Sequence, residues 1–213
     1  YILPNTDIDI GQYSIKKVLL DDITGWQIIE YHGKNIDDSF RFEETLTIGE
    51  DTRPLIAIGP KAFYFVEVED DYVWDLEINN IKYDYDYEFY QREINSLTAD
   101  NVKYVGKYAF AENSKIISVK MENVENIDEH AFYRCTSLYR VNIGENIKEM
   151  KDFAFYNSWV ENSLTQVYIN AKTPPTIYEN TLPAMYWNDS NIVIYVPYES
   201  TSSYAKADYF KNY

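Results

Sequence analysis

Two residues of this sequence could form a nucleophile and its general base. Cys135 is the only cysteine, and His130 stands five positions before it. A thiol activated by an imidazole can attack a carbonyl carbon, provided that a third group orients the ring. No third group is recognisable, and the sequence lacks the nucleophile-elbow, phosphate-loop, dinucleotide-binding and HExxH zinc motifs. We therefore predict that the chain is not an enzyme and has no catalytic residues, cofactor or dedicated metal site.

Carboxylates are the most abundant reactive groups of the chain. It carries 35 acidic and 19 basic residues, which gives a formal net charge of −16. The adjacent Glu43 and Glu44 have the residue types of a glycosidase acid–base pair, although so acidic a chain contains such pairs by chance. The negative field repels phosphate backbones, and no apolar run approaches the roughly 20 residues of a membrane span. We expect neither nucleic acid binding nor membrane insertion within this chain.

These residues lie in a chain that repeats itself about every 22 residues. Four segments end in Ala-Phe, at Phe63, Phe110, Phe132 and Phe155, and carry apolar residues eight and five positions earlier. A second pattern is a hexamer with apolar positions one, four and six. It occurs as VWDLEI (73–78), INSLTA (94–99), IISVKM (116–121), LYRVNI (138–143) and LTQVYI (164–169). The period and the L-x-x-L-x-L pattern are those of leucine-rich repeats, whose strands stack in parallel.

A tract of tyrosines and acids, YDYDYEFY, occupies residues 83–90. Its acids are hard oxygen ligands of the kind that calcium prefers, but the tract lacks the glycine turn of a dedicated loop. Laid against MENVENIDEHAF, the segment INNIKYDYDYEF places Ile81 where Val124 stands and Phe89 where Phe132 stands. The alignment predicts a degenerate repeat turn with one buried phenylalanine, and it leaves weak calcium binding open. We expect the rings of Phe63, Phe89, Phe110, Phe132 and Phe155 to stack along one buried wall.

The repeat residues resemble a known family. AFYRCTSLYRVNI at 131–143 and the TPP and YVP signals of the closing segment look like the BspA-like leucine-rich repeat proteins, over roughly residues 24–213. The resemblance implies a right-handed repeat solenoid of α/β type, mostly strand and loop, with parallel strands and a short C-terminal helix. It also implies a secreted or surface-attached bacterial protein of a family linked to adhesion, and no catalytic site. Asp84 and Leu182 depart from the pattern, since each replaces an expected apolar or aromatic residue.

The ends of the array are expected to be capped, because a terminal repeat exposes an apolar face. Residues 1–41, which contain SIKKVLL and GWQIIEY around a turn, are predicted to form an N-terminal strand cap. Residues 42–191 are predicted to be leucine-rich repeats. Residues 192–213 are predicted to form a C-terminal strand and helix cap.

The outward positions two, three and five of each hexamer are the candidate binding residues. They form three ladders across the strands: Trp74, Asn95, Ile117, Tyr139, Thr165; Asp75, Ser96, Ser118, Arg140, Gln166; and Glu77, Thr98, Lys120, Asn142, Tyr168. The predicted ligand-binding residues are Trp74, Asp75, Glu77, Ile117, Lys120, Tyr139, Arg140, Asn142 and Tyr168. Lys120 and Arg140 would give a local positive spot for a carboxylate or sulfate. The aromatics could equally serve only to stabilise cross-strand pairs.

From these residues we expect a non-catalytic binding or adhesion module that is secreted or held at the cell surface, with any leader or anchor outside this chain. Its partner would be a host or bacterial surface or matrix protein, bound by a monomer through the sheet face. The alternative is a glycan-binding or scaffold subunit that accompanies a surface enzyme system. A sugar binder should centre on Trp74 or Tyr139, whereas a protein binder should need several ladders at once.

Overall fold

The computed structural model describes residues 8–9, 13–31, 39–64, 77–78, 81–82, 94–157, 163–183 and 192–213. This part of the chain consists of short strands and turns, with one four-residue helix, α1 (Thr201–Tyr204), between two 3-10 turns. The strands are β1 (Ile8–Asp9), β2 (Tyr13–Leu20), β3 (Ile23–Tyr31), β4 (Ser39–Arg41), β5 (Thr45–Ile48), β6 (Asp51–Ile58), β7 (Glu77–Ile78), β8 (Ile81–Lys82), β9 (Ser96–Thr98), β10 (Tyr104–Val105), β11 (Ser118–Met121), β12 (Asn126–Ile127), β13 (Arg140–Ile143), β14 (Glu149–Met150), β15 (Gln166–Ile169) and β16 (Val193–Tyr195).

Most of the described strands form two large sheets between which the chain alternates, and β7 and β8 form a separate two-stranded sheet. The six-stranded sheet has the order β4-β9-β11-β13-β15-β16, and all its neighbours are parallel. The eight-stranded sheet runs β1-β2-β3-β6-β10-β12-β14, with β5 paired to β6. Its N-terminal strands β1 to β3 are antiparallel, as the two alternating segments predicted. The predicted fold class is confirmed: the chain is a mostly-β solenoid of parallel strands with one short C-terminal helix.

The core lies between the two sheets because each hexamer turns its apolar positions inward. Leu97, Val119, Val141 and Val167 are aligned by the strand register and are all buried. One strand of three or four residues cannot cover its own apolar face, so each repeat depends on its neighbours for burial. This dependence fixes which residues of every strand point out of the six-stranded sheet.

A wall of phenylalanine rings closes the core at the turns. Phe63, Phe110, Phe132 and Phe155 are at most 2% exposed, and their ring centroids follow one another at 5.0, 5.1 and 5.2 Å. Backbone bonds hold the same register, since the N–H of Phe132 donates to the carbonyl of Ala154 at 2.7 Å. The predicted stacking is confirmed for these four rings. The fifth predicted ring, Phe89, lies outside the described residues.

Each ring is aimed inward by a turn with an unusual backbone. The residue two positions before each phenylalanine has a positive φ, between 57° and 59°; these residues are Lys61, Tyr108, His130 and Phe153. Left-handed backbone costs a non-glycine residue on the order of 1 kcal/mol or more, so the stacked neighbours must hold it in place. The turn therefore recurs as part of the repeat.

Most of residues 73–89, which were predicted to form a copy of the repeat, lie outside the described residues. Glu77–Ile78 pairs antiparallel with Ile81–Lys82 in a separate two-stranded sheet. In the six-stranded sheet the place beside β9 is taken by β4, and in the eight-stranded sheet β6 pairs directly with β10.

The antiparallel strands β1 to β3 lie at one end of the array, and β16 lies at the other. Ser39–Arg41, predicted to close the N-terminal cap, is instead the first strand of the six-stranded sheet. At the other end Leu182 is 1% exposed, and the N–H of Phe155 donates to the neighbouring carbonyl of Thr181. Leu182 therefore continues the wall in the place of a phenylalanine. Tyr204 of α1 is buried and donates its hydroxyl to the carbonyl of Ala171.

A buried carboxylate ties the repeats together beside the eight-stranded sheet. Glu125 accepts hydrogen bonds from Lys103, at 2.5 Å, and from Lys148 of the next repeat. Burial by itself would raise the pKa of Glu125, but the hydrogen bonds and charges of the two lysines outweigh it and lower the pKa to about 2. Glu125 is therefore ionised over the whole pH range in which the chain is expected to work.

We expect Phe132→Ala to lower the free energy of unfolding by about 3–5 kcal/mol, because it leaves a cavity between the rings of Phe110 and Phe155. Urea unfolding followed by circular dichroism measures the effect. Tyr198→Ala is the control, since this side chain is 94% exposed and should change the free energy by less than about 0.5 kcal/mol. Equal losses in the two variants would contradict the stacked wall.

We expect Glu125→Gln to cost on the order of 1–3 kcal/mol at pH 7, because a charged acceptor of two lysines is lost. The depressed pKa stabilises the folded state above the usual glutamate value of 4.5, and this stabilisation disappears as the pH falls from there toward 2. Urea unfolding of both proteins between pH 2 and 7 should therefore give converging stabilities at the acid end. A difference that stays constant with pH would rule out the ion pairs as its source.

Candidate binding surface on the six-stranded sheet

Two of the three predicted ladders of outward residues, without their first members, are in register on the six-stranded sheet. Ser96, Ser118, Arg140 and Gln166 are register partners across β9, β11, β13 and β15, and the ladder of Thr98, Lys120, Asn142 and Tyr168 runs beside it. Strand β16 extends the two ladders with Val193 and Tyr195. Because the strands are in register, side chains of neighbouring repeats lie side by side. A partner would meet a continuous face rather than a pocket.

Large apolar and aromatic side chains are exposed on this face. Ile117 is 46% and Tyr139 41% exposed, and the two are adjacent, since the N–H of Tyr139 donates to the carbonyl of Ile117. Val193 and Tyr195 at the C-terminal edge are 49% and 41% exposed. Exposed aromatic residues in one patch are typical of binding surfaces.

Five side chains on this face form a connected group that we call the tyrosine–arginine cluster: Tyr139, Arg140, Gln166, Tyr168 and Tyr195. The Nε of Arg140 donates to Oε1 of Gln166 at 2.8 Å, and Nε2 of Gln166 donates to the hydroxyl of Tyr139 at 3.1 Å. The guanidinium carbon of Arg140 lies 5.8 Å from the ring centroid of Tyr168. Tyr168 and Tyr195 stack at 4.3 Å with an interplanar angle of 8°. The cluster thus spans three strands and holds its arginine in one place.

The predicted positive spot contains one cation rather than two. The Nζ of Lys120 lies 3.0 Å from a carboxylate oxygen of Glu122 and 3.5 Å from one of Asp100. The hydrogen bond to Glu122 and the charge of Asp100 raise the pKa of Lys120, so its positive charge faces two carboxylates of the protein itself. The sequence placed the lysine correctly but could not reveal that both acids would reach it from the ends of adjacent strands.

Three predicted ligand-binding residues are not part of the described face. Trp74 and Asp75 lie outside the described residues. Glu77 belongs to β7, which pairs antiparallel with β8 and is absent from the six-stranded sheet, so its assignment to the face was wrong. The place predicted for Glu77, beside Thr98, is occupied by Arg41 of β4.

Sequence reasoning assigned Gln166 to a ladder without giving it a binding role, and it missed Tyr195 altogether. The role of Gln166 arises from hydrogen bonds across the strands, for which a single repeat holds no signal. Tyr195 could have been found, because VIYVPY alternates like the other hexamers and places this tyrosine beside Tyr168.

His130 is a structural member of a second aromatic ladder. Its ring stacks between those of Tyr108 and Phe153 at centroid distances of 4.6 and 5.0 Å. Burial, with a smaller contribution from the charge of Lys107, lowers the pKa of His130. The imidazole therefore occupies the place of an aromatic ring and is neutral near pH 7.

Cys135 is turned into the core rather than toward this histidine. Its thiol is buried and donates to the carbonyl of Phe110 at 3.2 Å. Asn113 occupies the same position of the preceding repeat and donates to the carbonyl of Phe63 at 2.8 Å. Burial raises the pKa of Cys135 well above its usual value. A buried, protonated thiol with a structural hydrogen bond is not a nucleophile.

A shallow polar depression lies at the carboxyl ends of the strands. It has a volume of about 260 Å³ and is lined by Glu122, Asn123, Glu145, Asn146 and Asn170.

Among the helices that the structure describes, none is long and apolar enough to span a membrane.

Comparisons with known proteins agree with the observed repeat. The model of the family described as BspA type leucine rich repeat region matches residues 37–162, in six copies. The fold is similar to that of a leucine rich cell surface protein from Faecalibacterium prausnitzii, at 16% identity and a TM-score of 0.47, covering 95% of this chain and 54% of that one. It is also similar to a leucine-rich repeat protein of T. pallidum, at 14% identity and a TM-score of 0.45, covering 90% and 82%. A comparison with the curated proteins gives no match.

We expect the thiol of Cys135 to react with a soluble disulfide reagent only when the chain unfolds, because it is buried and protonated. The rate should be negligible in buffer and fast in denaturing urea. Ser137→Cys combined with Cys135→Ala is the matched control, since position 137 is exposed and should react at once in buffer. Rapid labelling of native Cys135 would reopen the possibility of a catalytic thiol.

Proposed function

Because the chain belongs to the BspA-type leucine-rich repeat family, we propose that it is a non-catalytic binding module, extracellular or held at the cell surface, that recognises a protein ligand through the six-stranded sheet. Membership of the family supports a binding module without catalysis. The residues that could have done chemistry support the same reading, since His130 and Cys135 are both committed to packing. We propose both the protein nature of the ligand and the extracellular or cell-surface location.

The observation that carries the proposal is the tyrosine–arginine cluster. Tyrosine and arginine are over-represented among the residues that dominate binding energies at protein interfaces. Here they are held by hydrogen bonds and ring contacts to one another, so little side-chain entropy remains to be lost on binding. The neighbouring Ile117 adds exposed apolar area beside Tyr139. A face of this kind suits a protein surface of complementary shape.

The alternative is recognition of a glycan, and one observation favours it. Tyr195 is the last ring of its stack on the outermost strand of the sheet and is 41% exposed. Sugars bind aromatic faces, and within a stack only an end ring can offer its face. A glycan ligand would therefore depend on Tyr195, whereas a protein ligand would depend on the whole cluster.

The test is a screen of the purified chain against host matrix proteins and a glycan array, followed by one matched pair of variants. Tyr139→Ala, Arg140→Ala and Tyr168→Ala together should weaken binding of a protein ligand at least 100-fold, because each is expected to contribute like an interface hot spot. The control replaces Tyr133, Arg134 and Tyr156 with alanine, which removes the same residue types outside the six-stranded sheet. Both variants should remain folded by circular dichroism.

Two results would decide against the proposal. Normal binding by the cluster variant and loss of binding by the control would place recognition outside the sheet. Loss of a glycan ligand on replacing Tyr195 alone, with no protein ligand found, would favour the alternative.

A further inference from the structure

Arg140 differs from the other arginines that the structure describes. Arg41, Arg53 and Arg134 are each bonded to a carboxylate, at 2.7, 2.7 and 3.2 Å. Arg140 has no carboxylate within salt-bridge distance in the described part of the chain, although acids outnumber bases 35 to 19. An exposed arginine of this kind can accept a carboxylate from a partner.

The guanidinium of Arg140 is held in position, but not all of its hydrogen-bond donors are used. Its Nε is used by Gln166, and its plane is supported by the ring of Tyr168. Neither terminal nitrogen donates to an acceptor within the described residues, so the forked end of the side chain is available. This fork matches the two oxygens of a carboxylate and binds them by two parallel hydrogen bonds.

The charges of the sheet are segregated along the strands. Arg140 is the first residue of β13, and its register partners Ser118 and Gln166 are uncharged. The acids Glu122 and Glu145 follow the carboxyl ends of β11 and β13. At about 3.3 Å per residue, the five steps from Arg140 to Glu145 cover roughly 16 Å, about two Debye lengths at physiological salt. The acids therefore do little to neutralise Arg140.

This separation of Arg140 from the acids at the strand ends favours a ligand with a single carboxylate over a polyanion. A polyanion such as a sulfated polysaccharide would extend from Arg140 across the acidic ends of the strands and be repelled there. A single carboxylate within an otherwise neutral or basic segment meets no such penalty. The exposed apolar surface of Ile117 and the ring of Tyr139 beside the arginine suit a side chain embedded in a protein surface.

We propose that Arg140 is the carboxylate-binding subsite of the sheet face and pairs with an aspartate or glutamate side chain of the protein ligand. The inference rests on the proposed function and names the chemistry of its partner. Gln166 acts as a positioning residue, because it fixes the orientation of the guanidinium through Nε.

The test is a titration of the labelled protein with N-acetyl-Tyr-Glu-Tyr amide, followed by nitrogen–proton correlation spectra. The signals of the Arg140 Nε–H and the Gln166 side-chain amide should shift and saturate. N-acetyl-Tyr-Gln-Tyr amide should bind about tenfold more weakly, because the charged hydrogen bonds are lost. Arg140→Lys should cause a similar loss, since lysine lacks the fork, whereas Arg134→Gln, which changes an acid-paired arginine, should leave the titration unchanged.

Equal affinity for the two peptides, an unaffected Arg140→Lys variant, or no saturable shift would overturn the inference. Tighter binding of D-glucuronate than of the glutamate peptide would also overturn it, because the carboxylate would then come from a sugar. The inference and the proposed function can fail separately. If Arg140→Gln binds the ligand from the screen normally while Tyr139→Ala with Tyr168→Ala does not, the sheet face stands and the carboxylate subsite is lost.

Discussion

The stacking of one repeat on the next, seen most directly in the row of rings from Phe63 to Phe155, is the constraint on which the rest of the molecule depends. A repeat of about 22 residues has too little apolar area to form a core by itself. Rings about 5 Å apart match the spacing of parallel strands, so one period serves both the wall and the sheets. The stack therefore sets the register of every strand at once.

The turns show how far this constraint overrides local preference. Tyr108, His130 and Phe153 adopt a backbone that non-glycine residues rarely take, and they do so at equivalent points of consecutive repeats. Their own rings stack outside the phenylalanine wall, which contributes to holding the turn. The histidine that looked like a general base is thus explained by its place in a ladder, where only an aromatic shape is required.

The sequence predicted those parts of the structure that repeat and failed for those that do not. Period and apolar spacing located four rings of the wall and the register of two outward ladders, because each copy confirms the others. Glu77 and Ile78 carry the same spacing but pair antiparallel with Ile81 and Lys82, and nothing in one copy shows with which segment its strand pairs. The strand at Ser39–Arg41 was missed because its three residues lack the hexamer pattern. Contacts between repeats, such as Lys120 with Asp100, depend on side-chain reach and have no sequence signal.

The proposed binding face and the buried core depend on the same strand register. The sheet carries uncharged register partners around Arg140 and acids beyond the carboxyl ends of the strands, so its polarity follows from the repeat and not from a dedicated loop. The members of the tyrosine–arginine cluster come from three successive strands, and strand register brings them within contact distance. A substitution in the buried wall that shifts one strand would therefore displace an arginine or tyrosine on the surface. Binding at the proposed face would therefore depend on the packing beneath it, because one strand register sets both.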